Sequence, residues 1–462
     1  MLPLEEQLET PAEGLYLLAE TLREYAAGCD DTLFYTLYSA YKALPDFADE
    51  ETKLTEAAFY RYLHHPLAKE VARQLYGKVL ENSVTRLETY AACAYEHFLQ
   101  YGLTLKEREE YTFENVDMGN VFHRVLELFA EQLTQRGLTW FSFTRKEGEA
   151  LVGEALDAYS AEYKDTVLFS SARNEYGILR MKRILTRTVI TLQKQLKKGS
   201  FTPSDFELSF SMPENLDAVN IALSKEEQMQ LRGRIDRVDT LEEGEKLYVK
   251  VIDYKSGNKQ FDLIALYYGL QLQLVVYLNA ALELQKKQHP DKEVIPAALL
   301  YYHVSDPTVS AEEEMTPEEI NEKLLSELKM TGMVNSDIDV INKLDTTITD
   351  EDSGSFGSST VIPVELKKDG TPSARSDVLS EEELSVISGF VNKKIKSIGR
   401  GILDGDISLQ PYERGNRSAC TFCAYASVCG FDRHIDGMEA RNLNEEYTKE
   451  EILEKIRGEC EK

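Results

Sequence analysis

The chain has 462 residues, of which 42% are hydrophobic and 29% charged, and its formal net charge is −28. This composition is typical of a globular protein of roughly two to four domains and excludes a disordered chain. The charge argues against non-specific adhesion to nucleic acid or to anionic membranes, although a local basic groove would still permit a nucleic-acid enzyme. No apolar run is long enough to span a bilayer and the acidic start is unlike a signal peptide, so we expect a cytoplasmic protein without membrane contact.

The first two thirds of the chain change from helical to strand-like patterns. Residues 1–82 are predicted to be a helical N-terminal region, and residues 83–200 a second helical part, with a Ser/Thr start and apolar side chains at helical spacing. Residues 201–305 contain alternating strand-like segments, then one long helix over 261–287 and a further buried strand. This order predicts an α/β core with a small mixed sheet, flanked by helices.

The last third is predicted to add an insertion and a C-terminal segment. Residues 306–380 are rich in Asp and Glu and contain Gly- and Ser-rich stretches, so we expect an acidic and partly mobile insertion there. Residues 381–462 are predicted to form a helix followed by a cluster of cysteines.

Two carboxylates and a lysine stand out in the strand-like part. Asp253 and Lys255 share one face of the segment LYVKVIDYK, and that face is otherwise apolar. Asp236 lies in the preceding strand, in GRIDRVD. Such groups are either an ion pair at an exposed strand end or a metal site, in which the carboxylates hold Mg²⁺ (or Mn²⁺). Glu207, at an earlier strand start, is equally either an accessory acid of that site or a surface side chain.

A metal site of this composition would suit hydrolysis of a phosphodiester. The ion would polarise a phosphoryl oxygen and lower the pKa of bound water. Lys255 would orient that water or stabilise negative charge developing on the phosphate. The D-x-K triplet alone does not separate this interpretation from a surface ion pair.

The segment CTFCAYASVC indicates a second metal site. Cys420, Cys423 and Cys429 are closely spaced, and in a reducing compartment such cysteines bind metal more often than they form disulfides. Three thiolates are one short of a tetrahedral set. Cys93, which lies in a helical context upstream, is the best candidate for the fourth ligand. Chemistry alone leaves both zinc and an iron–sulfur cluster open.

Together these motifs resemble the PD-(D/E)xK (restriction-endonuclease-like) nuclease superfamily, in its RecB-like branch. That branch carries a Q-xxx-Y motif after the D-x-K strand, which Gln273 and Tyr277 match, and a G-xxx-H motif upstream, which Gly119 and His123 match. One cysteine upstream and three near the C-terminus, with segments such as VIDYKSG and YYGLQLQLVVYL in order, resemble the AddB family of bacterial AddAB (RexAB-type) helicase–nucleases. Cas4-type nucleases share the cysteine arrangement.

The resemblance implies roles for individual residues. The implied metal ligands are His123, Asp236, Asp253 and the backbone carbonyl of Tyr254. Lys255 is implied to be the catalytic lysine, and Gln273 and Tyr277 are implied to position the site or the DNA. A [4Fe–4S] cluster is implied on the four cysteines Cys93, Cys420, Cys423 and Cys429. Its expected task is structural, because it would join the C-terminal segment to an early helix.

The resemblance also implies a function. The chain is expected to be an Mg²⁺-dependent DNA exonuclease or endonuclease domain, acting on single-stranded DNA produced by unwinding, in double-strand-break resection and recombinational repair. Its implied partner is an AddA-type helicase–nuclease subunit. The sequence contains no G-xxxx-GK-[ST] phosphate loop, so we expect no ATP hydrolysis by this chain and regard it as part of a longer protein.

Two other functions remain open. The chain could be a catalytically silent DNA-binding scaffold that has kept its cluster, which the intact set of site residues disfavours. It could also be a stand-alone Cas4-like nuclease, which the helical N-terminal region and the acidic insertion disfavour.

Overall fold

The computed structural model describes residues 10–29, 32–106, 115–162, 172–210, 216, 218–310, 315–350 and 355–461. The helices before the main sheet are α1 (Pro11–Ala26), α2 (Thr32–Lys42), α3 (Ala48–Ala58), α4 (Lys69–Tyr76), α5 (Val84–Ala92), α6 (Ala94–His97), α7 (Asn115–Gln135), α8 (Arg145–Glu162) and α9 (Ala172–Leu196). The later helices are α10 (Leu263–Tyr267), α11 (Gln273–Gln288), α12 (Pro317–Glu327), α13 (Ile338–Leu344), α14 (Glu381–Leu403), α15 (Ala426–Cys429) and α16 (Lys449–Glu461). No helix in these parts of the chain is long and apolar enough to cross a membrane.

The strands of the first half of the chain are β1 (Val79–Asn82), β2 (Thr202–Ser209), β3 (Asn220–Ala222), β4 (Gln228–Leu231), β5 (Arg234–Glu243) and β6 (Lys246–Lys255). Those of the second half are β7 (Glu293–His303), β8 (Thr331–Asn335), β9 (Thr349–Asp350), β10 (Ser355–Phe356), β11 (Val378–Leu379), β12 (Tyr412–Arg414), β13 (Arg417–Ser418) and β14 (Arg441–Asn442).

Helix starts follow the capping residues of the sequence. The Ser83 hydroxyl accepts a hydrogen bond from the backbone of Arg86 at the start of α5. Ser380 and Glu383 form a reciprocal capping box at the start of α14. The mainly helical character predicted for residues 83–200 is confirmed.

A six-stranded mixed sheet in the order β11-β8-β7-β6-β5-β2 forms the centre of the molecule. β6 pairs antiparallel with β5 and parallel with β7, so β5, β6 and β7 lie side by side. The α/β class and the mixed sheet that the sequence predicted are confirmed.

The two faces of this sheet belong to different hydrophobic cores. Val249 and Val251 of β6 pack in the core that includes α11 and α14. Tyr248, Ile252 and Tyr254 pack in the core formed with α7, α8 and α9. The alternation in LYVKVIDYK therefore predicted both faces correctly. Asp253 and Lys255 lie at the end of the face that is covered by α11.

Two sequence-based expectations are wrong. The long helix predicted over 261–287 is two helices, α10 and α11, because the chain turns at Gly269, whose φ is +83° and whose Cα lies close to Ala91. The insertion predicted over 306–380 is not peripheral throughout, since β8 and β11 belong to the main sheet. Residues 311–314 and 351–354, which include part of the stretch predicted to be mobile, lie outside the described residues.

Candidate active site

Neighbouring strands β5 and β6 bring two carboxylates together. Arg237 pairs with Ile252 in the antiparallel register, which places Asp236 beside Asp253. Both side chains are buried, with 7% and 1% of their surface exposed. Burial raises the pKa of Asp253 to about 7, and the nearby charge of Asp236 adds to this increase. The two carboxylates therefore form a site that would be stabilised by a cation.

Lys255, Gln273 and Asp253 form a closed network at the end of β6. The Lys255 ammonium lies 2.5 Å from Asp253 Oδ2 and donates to Gln273 Oε1 at 3.1 Å. Gln273 Nε2 in turn donates to Asp253 Oδ1 and to the Tyr277 hydroxyl, both at 2.9 Å. Gln273 and Tyr277 are one turn apart on α11, so the Q-xxx-Y spacing places both side chains on the site.

His123 of α7 reaches the same site from the opposite direction. Its Nδ1 lies 3.2 Å from Asp236 Oδ1 and 3.6 Å from Glu207 Oε1. Burial alone would lower the pKa of His123, but hydrogen bonds to Asp236 and Glu207 raise it to about 10. Glu207 has a φ of +46° within β2, a conformation that is rare for a residue other than glycine and is often found at functional sites.

The donor atoms fit a hard divalent ion. One ligand atom each of His123, Glu207 and Asp236 lies within 4.8 Å of the others, a spacing that suits a single ion. Asp253 falls outside this group of three, although it lies on the neighbouring strand. Carboxylate oxygens with one imidazole suit Mg²⁺ or Mn²⁺. The structure thus places every sequence-predicted ligand side chain at one site and adds Glu207, whose role the sequence left open.

Tyr254 holds Asp236 through its backbone. Its N–H donates to Asp236 Oδ2 at 2.6 Å, while its ring is buried on the other side of the sheet. This contact leaves Asp236 Oδ1 directed towards His123. That the Tyr254 carbonyl binds a metal stays a prediction.

Glu88 of α5 is a site residue that the sequence analysis missed. Its Oε1 accepts hydrogen bonds from the backbone N–H groups of Leu272 and Gln273, at 2.7 and 3.1 Å. Burial raises the pKa of this carboxyl, and the charge of Lys259 partly offsets the increase. Glu88 therefore fixes the first turn of α11, where Gln273 begins the helix. Its nearest sequence signal was its position in a capped helix, which carries no information on this contact.

The four predicted cysteines line one cavity of about 20 Å³. It is lined mainly by apolar side chains, including Leu99, Leu409 and Phe431. All four thiols are free, and burial raises the pKa of Cys93 to about 11. Cys93, which lies far upstream in the sequence, is therefore brought beside the C-terminal three.

The spacing of these thiols suits a cluster better than a single ion. Within the described part of the chain, no three cysteine Sγ atoms lie within 4.8 Å of one another. Zinc binds sulfur at about 2.3 Å and so needs its four sulfurs closer together than this. The cavity and its mainly apolar lining are compatible with a larger iron–sulfur cluster.

This arrangement of a mixed sheet, paired acids and a lysine is that of a metal-dependent nuclease fold. The sequence profile of the PD-(D/E)XK nuclease superfamily matches residues 81–430, and the chain belongs to this superfamily. The resemblance predicted from the motifs is confirmed.

More particular similarity is to proteins named as the B-type subunit of an ATP-dependent helicase/deoxyribonuclease. The chain is 41% identical to the protein of that name from Lachnoclostridium phytofermentans over 464 residues, which cover 99% of this chain and 38% of the relative. It is 33% identical to the Alkaliphilus metalliredigens protein over 460 residues (98% and 39%) and 35% identical to the Clostridioides difficile protein over 428 residues (93% and 36%). The chain thus spans a little over a third of the length of the curated relatives it matches.

Proposed function

We propose that the chain is the deoxyribonuclease part of a helicase–nuclease, and that it hydrolyses phosphodiester bonds in DNA with Mg²⁺ or Mn²⁺. The observation that carries this proposal is the closed network of Asp253, Lys255 and Gln273 beside His123 and Asp236, in a chain of the nuclease superfamily. The names of the relatives support DNA as the substrate and a second subunit as the partner.

The metal would be held by Asp236, Asp253, His123 and Glu207. When bound, it supplies Lewis-acid activation of the phosphate and of a water molecule. Lys255 is held by Asp253 and Gln273, so its ammonium has a fixed position beside the carboxylates. There it stabilises negative charge that develops on the phosphate and orients the attacking water.

The larger setting follows from the family resemblance and the names of the relatives. The chain acts in the cytoplasm with an AddA-type helicase–nuclease subunit, on single-stranded DNA that unwinding produces, in the resection and repair of double-strand breaks. Cys93, Cys420, Cys423 and Cys429 hold a [4Fe–4S] cluster with a structural task. The wide spacing of the thiols favours the cluster over zinc.

Replacing Asp253 by Asn tests the catalytic assignment. We expect Mg²⁺-dependent cleavage of an end-labelled oligonucleotide to fall by on the order of 10²-fold or more, because one metal-binding charge is lost. Asp339→Asn, which removes an exposed carboxylate on α13, should cleave like the parent chain. Full cleavage by Asp253→Asn would refute the assignment, and DNA binding without any cleavage by the parent chain would favour the silent scaffold.

A further inference from the structure

A second feature beside the candidate active site is a groove of about 760 Å³. Its near wall is the loop that follows β6 and the start of α10. Its far wall is the β12–β13 hairpin together with the beginning of α16. The groove is therefore built from segments that lie about 150 residues or more apart in sequence, and the hairpin directly precedes Cys420.

The groove is basic in a chain that is strongly acidic. The charged side chains that line it are Lys259, Arg414, Arg417 and Lys449, against Asp262 and Asp377. Asp262 pairs with Arg414 across the groove and so ties the two walls together. Lys259 and the exposed Arg417 have no ion pair among the described residues. Since the chain carries a net charge of −28, these cations mark a local surface for a negatively charged ligand.

The groove starts at the metal site itself. Lys255 and Lys259 both lie over the ring of Tyr301, at 5.7 and 5.3 Å from its centroid. Thr331 of β8 donates to the Lys259 carbonyl at 3.1 Å, which fixes the loop. The cation of the groove is thus one ring away from the lysine assigned to catalysis, and a ligand in the groove would reach the reacting phosphate.

Aromatic side chains accompany the charges. Phe261, Tyr412 and Tyr447 line the groove and are each half-buried. Surfaces that combine cations with such rings suit single-stranded nucleic acid, because the cations bind the phosphates and unpaired bases stack on the rings. Paired bases in a duplex are not available for this stacking.

We propose that this groove binds the single-stranded DNA adjoining the bond that is cleaved. The inference rests on the proposed nuclease function and extends it, because it assigns the strand a path from Lys259 to Arg417. The cysteine-bearing C-terminal segment then supplies one wall of the substrate site through the β12–β13 hairpin.

Binding of fluorescein-labelled dT20 in EDTA, followed by anisotropy, tests the proposal without cleavage. Lys259→Ala and Arg417→Ala should each weaken binding about fivefold at 0.1 M salt and lower the slope of log affinity against log salt by about 0.7. Tyr412→Ala should weaken it by about fivefold or more, because a stacked base is lost. Lys286→Ala, an exposed lysine at the end of α11, is the charge-matched control and should bind like the parent chain.

The results separate this proposal from the nuclease assignment. Unchanged dT20 affinity and salt slope in both Lys259→Ala and Arg417→Ala would overturn the groove, even if the parent chain cleaves DNA. Losses confined to a duplex of the same length would overturn it as well. Weakened dT20 binding in a chain that does not cleave would support the groove and refute the nuclease function. Since Arg417 is exposed, its variant is expected to fold, and a thermal unfolding curve checks this.

Discussion

At the scale of single residues, the metal site collects negative charge around one imidazole. Asp236 and Glu207 both contact His123, and Asp253 lies on the adjoining strand. Without metal, the pKa of His123 is raised to about 10 and that of Asp253 to about 7. A metal ion requires the neutral imidazole and the ionised carboxylates, so it must displace protons when it binds.

Metal affinity should therefore increase with pH. At pH 6 both His123 and Asp253 carry protons, at pH 8 only His123 does, and above about pH 10 neither does. Titration calorimetry with Mn²⁺ in buffers of different ionisation enthalpy should show about one proton released at pH 8 and more at pH 6. His123→Gln should abolish the release at pH 8, whereas Asp339→Asn should leave it unchanged. A pH-independent affinity without proton release would contradict the ligand set.

The sequence predicted those site residues whose spacing is local. Asp253 and Lys255 share a face because a strand has a period of two, and Gln273 and Tyr277 share one because they are a helical turn apart. Glu207 could not be decided, since its left-handed backbone, which accompanies its approach to His123, is visible only in the structure.

At the scale of elements, the catalytic face of the molecule depends on how α11 begins. The expected continuous helix is interrupted before Gln273, because the turn at Gly269 and the acceptor on Glu88 are tertiary features. Periodicity alone joined the two apolar segments. Glu88 and Gln273 are 185 residues apart, so no local pattern could reveal their contact.

Removing the carboxyl of Glu88 should displace Gln273. Glu88→Ala leaves two backbone N–H groups without their acceptor, and we expect cleavage to fall on the order of 10- to 100-fold because a small misplacement of a positioning group is costly. Glu88→Gln keeps an acceptor oxygen and should restore most of the rate. Glu81→Gln, on exposed β1, serves as the control. If the Ala and Gln variants lose activity equally, Glu88 does not act through this hydrogen bond.

At the scale of the whole molecule, the C-terminal segment folds back onto the early helices around the cysteine cavity. Leu67 N–H donates to the Gly405 carbonyl at 2.8 Å, and Tyr425 donates from its hydroxyl to the Leu105 carbonyl at 2.9 Å. The sequence predicted the ligands of this closure but not the path of the chain, because β8 and β11 were assigned to a peripheral insertion. Their places in the sheet depend on pairing with β7 and with each other, which composition does not reveal.

The proposed cluster should be what keeps this segment closed. A link from Cys93 to Cys420 closes a loop of more than three hundred residues, and in the chain-entropy model such a link stabilises the folded state by about 5 kcal/mol. Cys93→Ser should lose iron, sulfide and visible absorption in anaerobically purified protein, and hydrogen exchange should increase in residues 405–442. Cys29→Ser, an exposed cysteine outside the cavity, should keep both. A colourless parent chain with slow exchange in that segment would show that packing alone holds it.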